Sequence, residues 1–84
     1  MKHYYKVTLK VRNEAGVLAR ISTLIRKYRV NIRSLDVAPI DVAEKFSEIH
    51  MVFETDKDLN AIGVVMSKLE RLVPVIGSTC TPNG

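Results

Sequence analysis

The apolar residues of this chain change their spacing abruptly at residue 16, and this change limits what the chain can fold into. Between Tyr4 and Arg12 every second residue is apolar, as in a strand that buries one face. From Val17 to Tyr28 apolar residues recur every three or four positions, which is typical of an amphipathic helix. Turn residues at 13–16 separate the two patterns. We therefore predict a strand followed by a helix.

The same succession returns in the second half of the chain, so the predicted element order is βαββαβ. A second strand from Asn31 to Ala38 is expected to stop at Pro39, and Ile40 to Lys45 is expected to be a loop. The other elements are a strand over 46–54, a helix over 59–73 that Thr or Asp caps and Pro74 ends, a strand over 75–81 and a fraying end over 81–84. Two helices with one apolar face each indicate an α+β, ferredoxin-like plait, with both helices on one face of a four-stranded antiparallel sheet.

The composition indicates a soluble globular domain. The chain has 84 residues, of which 46% are hydrophobic and 26% are charged. Its one cysteine, Cys80, excludes an intramolecular disulfide and any multi-thiolate metal site. No segment approaches the roughly 18 apolar residues of a membrane span, and the first residues lack the apolar core of a signal peptide. We expect a cytoplasmic protein that does not contact membranes.

Few side chains are arranged for catalysis. Cys80 is expected to be a small, partly buried thiol on the last strand. His3 lies at the chain terminus and His50 in mid-strand, and neither has a partner at metal-ligand spacing. Gly16 stands alone, so the sequence contains no glycine-rich loop for phosphate. We predict no enzyme activity, no metal and no cofactor.

Nucleic-acid binding is an alternative, because the βαββαβ order is also that of the RNA-recognition domain. The third strand lacks the glycine of that domain, however, and Glu48 and Glu54 lie on the face that RNA would need. A second basic surface would comprise Arg20, Arg26, Lys27, Arg29 and Arg33. Most of these residues lie along the first helix, where a solvated helix face explains them as well. We therefore expect no nucleic-acid partner.

The turn before the first helix has chemistry that suits a small ligand. Gly16 lets the backbone approach a guest, and the first amides of the helix are free to hold a carboxylate. The Asn13 side chain offers a donor and an acceptor, for a carboxylate and an ammonium group. A plain capped helix start explains the same residues. Residue chemistry alone leaves both interpretations open.

Two segments carry a family resemblance. The first reads Asn-x-x-Gly-Val-Leu-x-Arg-Ile from Asn13 and is followed by Asn-Ile-x-Ser-Leu from Asn31; the second is the helix-to-strand stretch 66–76. The chain resembles an ACT domain over nearly its whole length, and most closely the small regulatory subunit of acetohydroxyacid (acetolactate) synthase. Residues 1–84 are then interpreted as a single ACT domain. The chain departs from the family at Ala15, where a proline is usual.

The resemblance implies a non-catalytic homodimer or higher oligomer that binds an amino acid between its subunits. The effector-binding residues that it implies are Asn13, Ala15, Gly16, Val17, Leu18, Asn31 and Ile32. A helix from Gly16 to Arg29 is roughly 20 Å long at 1.5 Å per residue, so Asn13 and Asn31 of one chain cannot both contact one amino acid. Antiparallel pairing of two copies along an edge strand would bring these two ends together at two equivalent sites.

Three functional hypotheses follow. In the first, the chain binds a branched-chain amino acid, valine in particular, and controls the thiamine-diphosphate-dependent catalytic subunit of acetolactate synthase in branched-chain amino-acid biosynthesis. In the second, it is a free-standing ACT module that senses another amino acid or regulates another enzyme. In the third, it is a plait that binds nucleic acid. The resemblance favours the first hypothesis.

Overall fold

Six elements occur in the predicted order βαββαβ. The computed structural model describes residues 2–12, 16–41, 45–72 and 75–83, with the backbone alone for residues 39–41. The elements are β1 His3–Arg12, α1 Val17–Lys27, β2 Asn31–Asp41, β3 Phe46–Thr55, α2 Leu59–Leu72 and β4 Val75–Pro82. The strands form one sheet in the order β2-β3-β1-β4, in which every neighbouring pair is antiparallel. The predicted ferredoxin-like plait is confirmed.

The core lies between the two helices and one face of the sheet, as the alternating pattern predicted. The central strands β1 and β3 bury every second side chain against the helices. The buried apolar residues of these four elements include Tyr5, Val7, Leu9, Val11, Val17, Ile21, Ile25, Ile49, Met51, Phe53, Ile62, Met66 and Leu69. The helix residues of this set recur at three- and four-residue spacing, so the same periodicity that forms each helix also seats it on the sheet.

The start of α2 is fixed by a side-chain cap. The backbone N–H of Ala61 donates a hydrogen bond of 2.9 Å to Oδ1 of Asp58, which satisfies one of the free amides of the first turn. The predicted helix entry is therefore confirmed. The helix ends at Leu72. Residues 73–74, which were expected to end it, lie outside the described residues.

Strand β2 is longer than predicted. The expected stop at Pro39 is wrong, because β2 continues to Asp41, and the expected loop is wrong for its first two residues. Residues 42–44 lie outside the described part of the chain. Strand β2 lies at the edge of the sheet, so only one of its sides pairs with another strand of the sheet. A proline, which has no N–H to donate, costs no backbone hydrogen bond on the other side. The pairing register also shifts between Pro39 and Asp41.

Two further boundaries differ from the prediction. Helix α1 ends at Lys27 instead of Arg29, because the backbone of Arg29 adopts a left-handed conformation with φ 58°. The predicted fraying from residue 81 is also wrong: β4 extends through Pro82, and the N–H of Asn83 donates to the carbonyl of Tyr4 at 2.8 Å. Pairing with β1 therefore continues the strand past Cys80, although no apolar residue beyond Cys80 packs it onto the core.

Candidate functional site

Gly16 forms the turn that starts α1. Its φ of 83° lies in the left-handed region that favours glycine. A Cβ added there would meet no atom within 4 Å, so the turn faces open space. The carbonyl of Gly16 accepts the first helical hydrogen bond, from Arg20 N at 3.0 Å, and the first turn of α1 contains no acidic residue. The first backbone amides of a helix have no carbonyl partner within the helix itself, and such amides are suited to hold an anion.

An apolar cavity of about 330 Å³ lies beside this turn. Its lining residues are Val11, Gly16, Val17, Leu18, Ala19, Val37, Ser47 and Ile49. Val11 and Ile49 form a buried base, whereas Leu18 and Val37 are each 42% exposed. Three of the predicted effector residues, Gly16, Val17 and Leu18, thus share one cavity with residues of β1, β2 and β3 that the predicted effector set did not include. Asn13 and Ala15, the other predicted residues of this turn, lie outside the described residues.

A second cavity, of about 490 Å³, lies at the opposite end of α1. It is lined by Ser22, Ile25, Arg26, Arg29, Val30, Asn31 and Ile32. The predicted residues Asn31 and Ile32 therefore lie together, but in a different cavity from Gly16. The 11 residues of α1 separate the two cavities by about 16 Å along the helix axis. The described members of the predicted set therefore lie in two separate cavities, one at each end of α1.

The Asn31 end is rich in charge. Glu54 pairs with Asn31 in the β2–β3 register and is buried. Its carboxylate accepts hydrogen bonds from Lys2 Nζ at 2.9 Å and from Arg33 Nη1 at 3.0 Å. The hydrogen bond from Lys2 is the main cause that lowers the pKa of Glu54, and Arg33 acts in the same direction against desolvation. The two cations therefore keep this buried carboxylate ionised.

Two reactive side chains among the described residues are Cys80 on β4 and His50 on β3. Cys80 is half-buried opposite Val7 on β1, and burial raises the pKa of its thiol, as expected of a structural cysteine. His50 Nε2 lies 2.6 Å from Glu48 Oε1, and Nδ1 lies 3.4 Å from Thr8 Oγ1. In residues 2–12, 16–41, 45–72 and 75–83, no group of three His, Cys, Asp or Glu side chains could hold a metal ion. Neither described helix is long and apolar enough to span a membrane.

The five residues of the alternative basic surface lie on α1, on the turn after it and on β2. Arg20 and Arg26 are exposed on α1, whereas Arg33 binds Glu54 on the neighbouring strand. The opposite face of the sheet also carries acidic residues among its basic ones, Glu48 and Asp36 included. Mixed charge of this kind is not the footprint of a phosphate-binding surface.

The helix side of β2 is incompletely covered. Leu35 and Val37 pair with Met51 and Ile49, which are buried, yet Leu35 is 46% exposed. The two helices thus cover the central strands and leave two apolar side chains of this edge strand in contact with solvent. An exposed edge with an apolar face is a template for pairing with another chain.

The βαββαβ plait, with two helices on a four-stranded antiparallel sheet, is the fold of an ACT domain. Solved structures with this fold include an uncharacterized protein from Thermotoga maritima (TM-score 0.73, 21% identity, 100% of both chains covered). Another is the ACT domain of the GTP pyrophosphokinase of Chlorobium tepidum, with a TM-score of 0.77 and 16% identity over 96% of this chain and 100% of that one.

The sequence comparisons identify the family within this class. Residues 7–77 match the model of the AHAS (acetohydroxyacid synthase) small subunit-like ACT domain, and the chain belongs to this family. It is 41% identical over 70 residues to the acetolactate synthase small subunit of Aquifex aeolicus (strain VF5). The match covers 83% of this chain and 35% of that relative, so the chain spans about a third of its length.

Proposed function

We propose that this protein is a non-catalytic regulatory subunit that binds a branched-chain amino acid, valine in particular, between two copies of the chain. In this role it controls the thiamine-diphosphate-dependent catalytic subunit of acetolactate synthase. The observation that carries the proposal is the division of the predicted effector residues between two cavities at opposite ends of α1. The family and the 41% identical relative support the choice of enzyme.

Two copies pair antiparallel along β2. This edge carries Leu35 and Val37, two exposed apolar residues whose partners in the β2–β3 register, Met51 and Ile49, are buried. A two-fold axis across β2 brings the Gly16 cavity of one copy beside the Asn31 cavity of the other, and it does so twice. Pairing also covers the apolar side chains of the edge, so assembly and site formation are one event.

The chemistry of the combined site suits an aliphatic amino acid. The free amides of the Gly16 turn bind the carboxylate, and the asparagine side chains bind the ammonium group. Val17, Leu18 and Val37 supply an apolar wall for the side chain, without an ionisable group to bind a polar one. A valine, leucine or isoleucine therefore fits this wall better than a charged amino acid.

Regulation requires that the amino acid distinguish two states of the assembly. An effector that binds the active and the inhibited enzyme equally tightly changes nothing. A site shared by two copies meets this requirement, because a shift of one copy relative to the other changes the distance between the two halves of the site and therefore the affinity for the amino acid.

Titration calorimetry of L-valine, L-leucine, L-isoleucine and L-glutamate tests the effector, and co-purification from the source cell tests the enzyme. We expect the three aliphatic amino acids to bind, and a large thiamine-diphosphate enzyme to co-purify. Gly16→Val should abolish binding, because it strains a left-handed turn and fills the open space beside it. Gly63→Val in α2, where a Cβ also meets no atom within 4 Å, is the matched control that should still bind.

Binding of a non-aliphatic amino acid, or co-purification of a different enzyme, would replace this proposal with the free-standing ACT module. Equal affinity of the wild type and Gly16→Val would place the effector elsewhere.

A further inference from the structure

Arg29 occupies a backbone position that normally belongs to glycine. Helix α1 ends with Tyr28 as its C-cap, after which the N–H of Arg29 donates to the carbonyl of Arg26 at 3.0 Å and that of Val30 to Ile25 at 3.1 Å. This pair of bonds is a Schellman motif, whose left-handed residue is usually glycine because a Cβ is unfavourable there. Because Arg29 has φ 58°, its Cβ is unfavourable there, and a glycine at this position would stabilise the turn.

The Arg29 side chain lies where the proposed effector binds. It lines the 490 Å³ cavity together with Asn31 and Arg26, and it also lines a neighbouring cavity of about 120 Å³ with Asn31 and Glu54. The carboxylate of Glu54 is engaged by Lys2 and Arg33. Arg29 forms no ion pair with any residue in the described part of the chain. Its guanidinium is thus exposed and available at the edge of this cavity.

We propose that Arg29 binds the α-carboxylate of the amino-acid effector from the Asn31 side of the shared site. This inference rests on the proposed function and adds the residue that selects for a free carboxylate. A guanidinium donates two parallel hydrogen bonds to a carboxylate, whose remaining acceptor positions stay available to the Gly16 turn of the second copy. The guanidinium explains why the turn retains a residue that its backbone disfavours.

The proposal predicts that stability and binding respond oppositely to Arg29→Gly. The unfolding midpoint of the ligand-free variant should equal or exceed that of the wild type, because glycine relieves the left-handed turn. The affinity for L-valine should fall at least tenfold, since the charge-assisted pair is lost. Lys45→Gly is the matched control, because Lys45 also has φ 58° and lines neither cavity of the site. It should relieve the same strain and leave the affinity unchanged.

L-valinamide, which lacks the carboxylate, isolates the interaction. The wild type should bind L-valine at least tenfold more tightly than L-valinamide. This preference should disappear in Arg29→Gly, and Arg29→Lys should restore part of it.

If Arg29→Gly weakens the binding of both ligands equally and lowers the unfolding midpoint, the residue is only structural and the inference is wrong. If Arg29→Gly binds L-valine as tightly as the wild type does, the inference fails while the proposed function stands. If the wild type binds no branched-chain amino acid, both fail.

Discussion

At the scale of single residues, the end of the sheet that carries the proposed effector residue Asn31 contains a charged side chain at a buried position. Glu54 is a carboxylate on a buried position of β3, opposite Asn31, and two cations hold it. A buried carboxylate without partners would be strongly destabilising. Its ion pairs therefore stabilise the end of the sheet on which the proposed effector residue Asn31 lies.

Glu54→Gln should lower the urea midpoint of unfolding at pH 7. The folded state lowers the pKa of Glu54 below its ordinary value of 4.5, so the ionised form stabilises the fold above the unfolded pKa. That contribution is lost as the pH falls through the folded pKa, and the gap between wild type and variant should close in acid. Urea unfolding at pH 7 and at acidic pH measures it, with Asp36→Asn, at an exposed carboxylate of β2, as the control. A gap that persists unchanged in acid would contradict the assignment.

Cys80→Ala should leave folding nearly intact. Cys80 is only half-buried against the core, so the substitution should change the free energy of unfolding by about 1 kcal/mol or less. Because burial raises the pKa of the thiol, the wild-type cysteine should react with iodoacetamide more slowly than a free thiol does at the same pH. Rapid alkylation of the folded protein would show that the residue is more accessible than its burial indicates.

At the scale of elements, local chemistry predicts where helices begin better than it predicts where strands end. The Asp58 cap could be read from the residues, because an N-cap acts within its own turn. The end of β2 could not be predicted in this way. A strand tolerates Pro39 there because β2 lies at the edge of the sheet, and that position depends on pairing with residues distant in the sequence. For the same reason Val37 and Ser47 were missed in the Gly16 cavity. They reach it through the order β2-β3-β1, which no local pattern encodes.

Asp58→Ala should destabilise the protein through α2. Loss of the bond to the N–H of Ala61 leaves one free amide in the first turn and should lower the free energy of unfolding by about 1 kcal/mol. For a domain of this size, that corresponds to a fall of roughly 4–8 °C in the unfolding midpoint. Asp56→Ala, two residues earlier and exposed, is the control that should change little. An equal loss in both variants would indicate a general charge effect instead of a cap.

At the scale of the whole molecule, the two edges of the sheet differ, and this difference determines how copies associate. Leu35 on β2 and Ile76 on β4 are both exposed apolar residues, at 46% and 59%. Strand β2 carries two such residues, Leu35 and Val37, and it lies beside α1, whose two ends hold the described members of the predicted effector set. The proposed dimer therefore uses β2, and the proposed site exists only in the dimer.

Leu35→Lys should convert the protein into a folded monomer at micromolar concentration. A lysine tolerates the half-exposed position in a single copy, but it places like charges against each other when two β2 edges pair. Ile76→Lys adds the same charge to the opposite edge and should remain dimeric. Sedimentation equilibrium distinguishes the two variants. Dissociation of Ile76→Lys instead of Leu35→Lys would assign the contact to β4.

The most direct test of the shared site is calorimetric titration of L-valine into the wild type and the Leu35→Lys variant, with circular dichroism to establish that both are folded. We expect the wild-type dimer to bind two molecules of valine, at equivalent sites. The folded monomer should bind none, because each copy holds only half of each site. Undiminished binding of valine by the folded monomer would contradict the shared site, since a single copy would then contain the whole site.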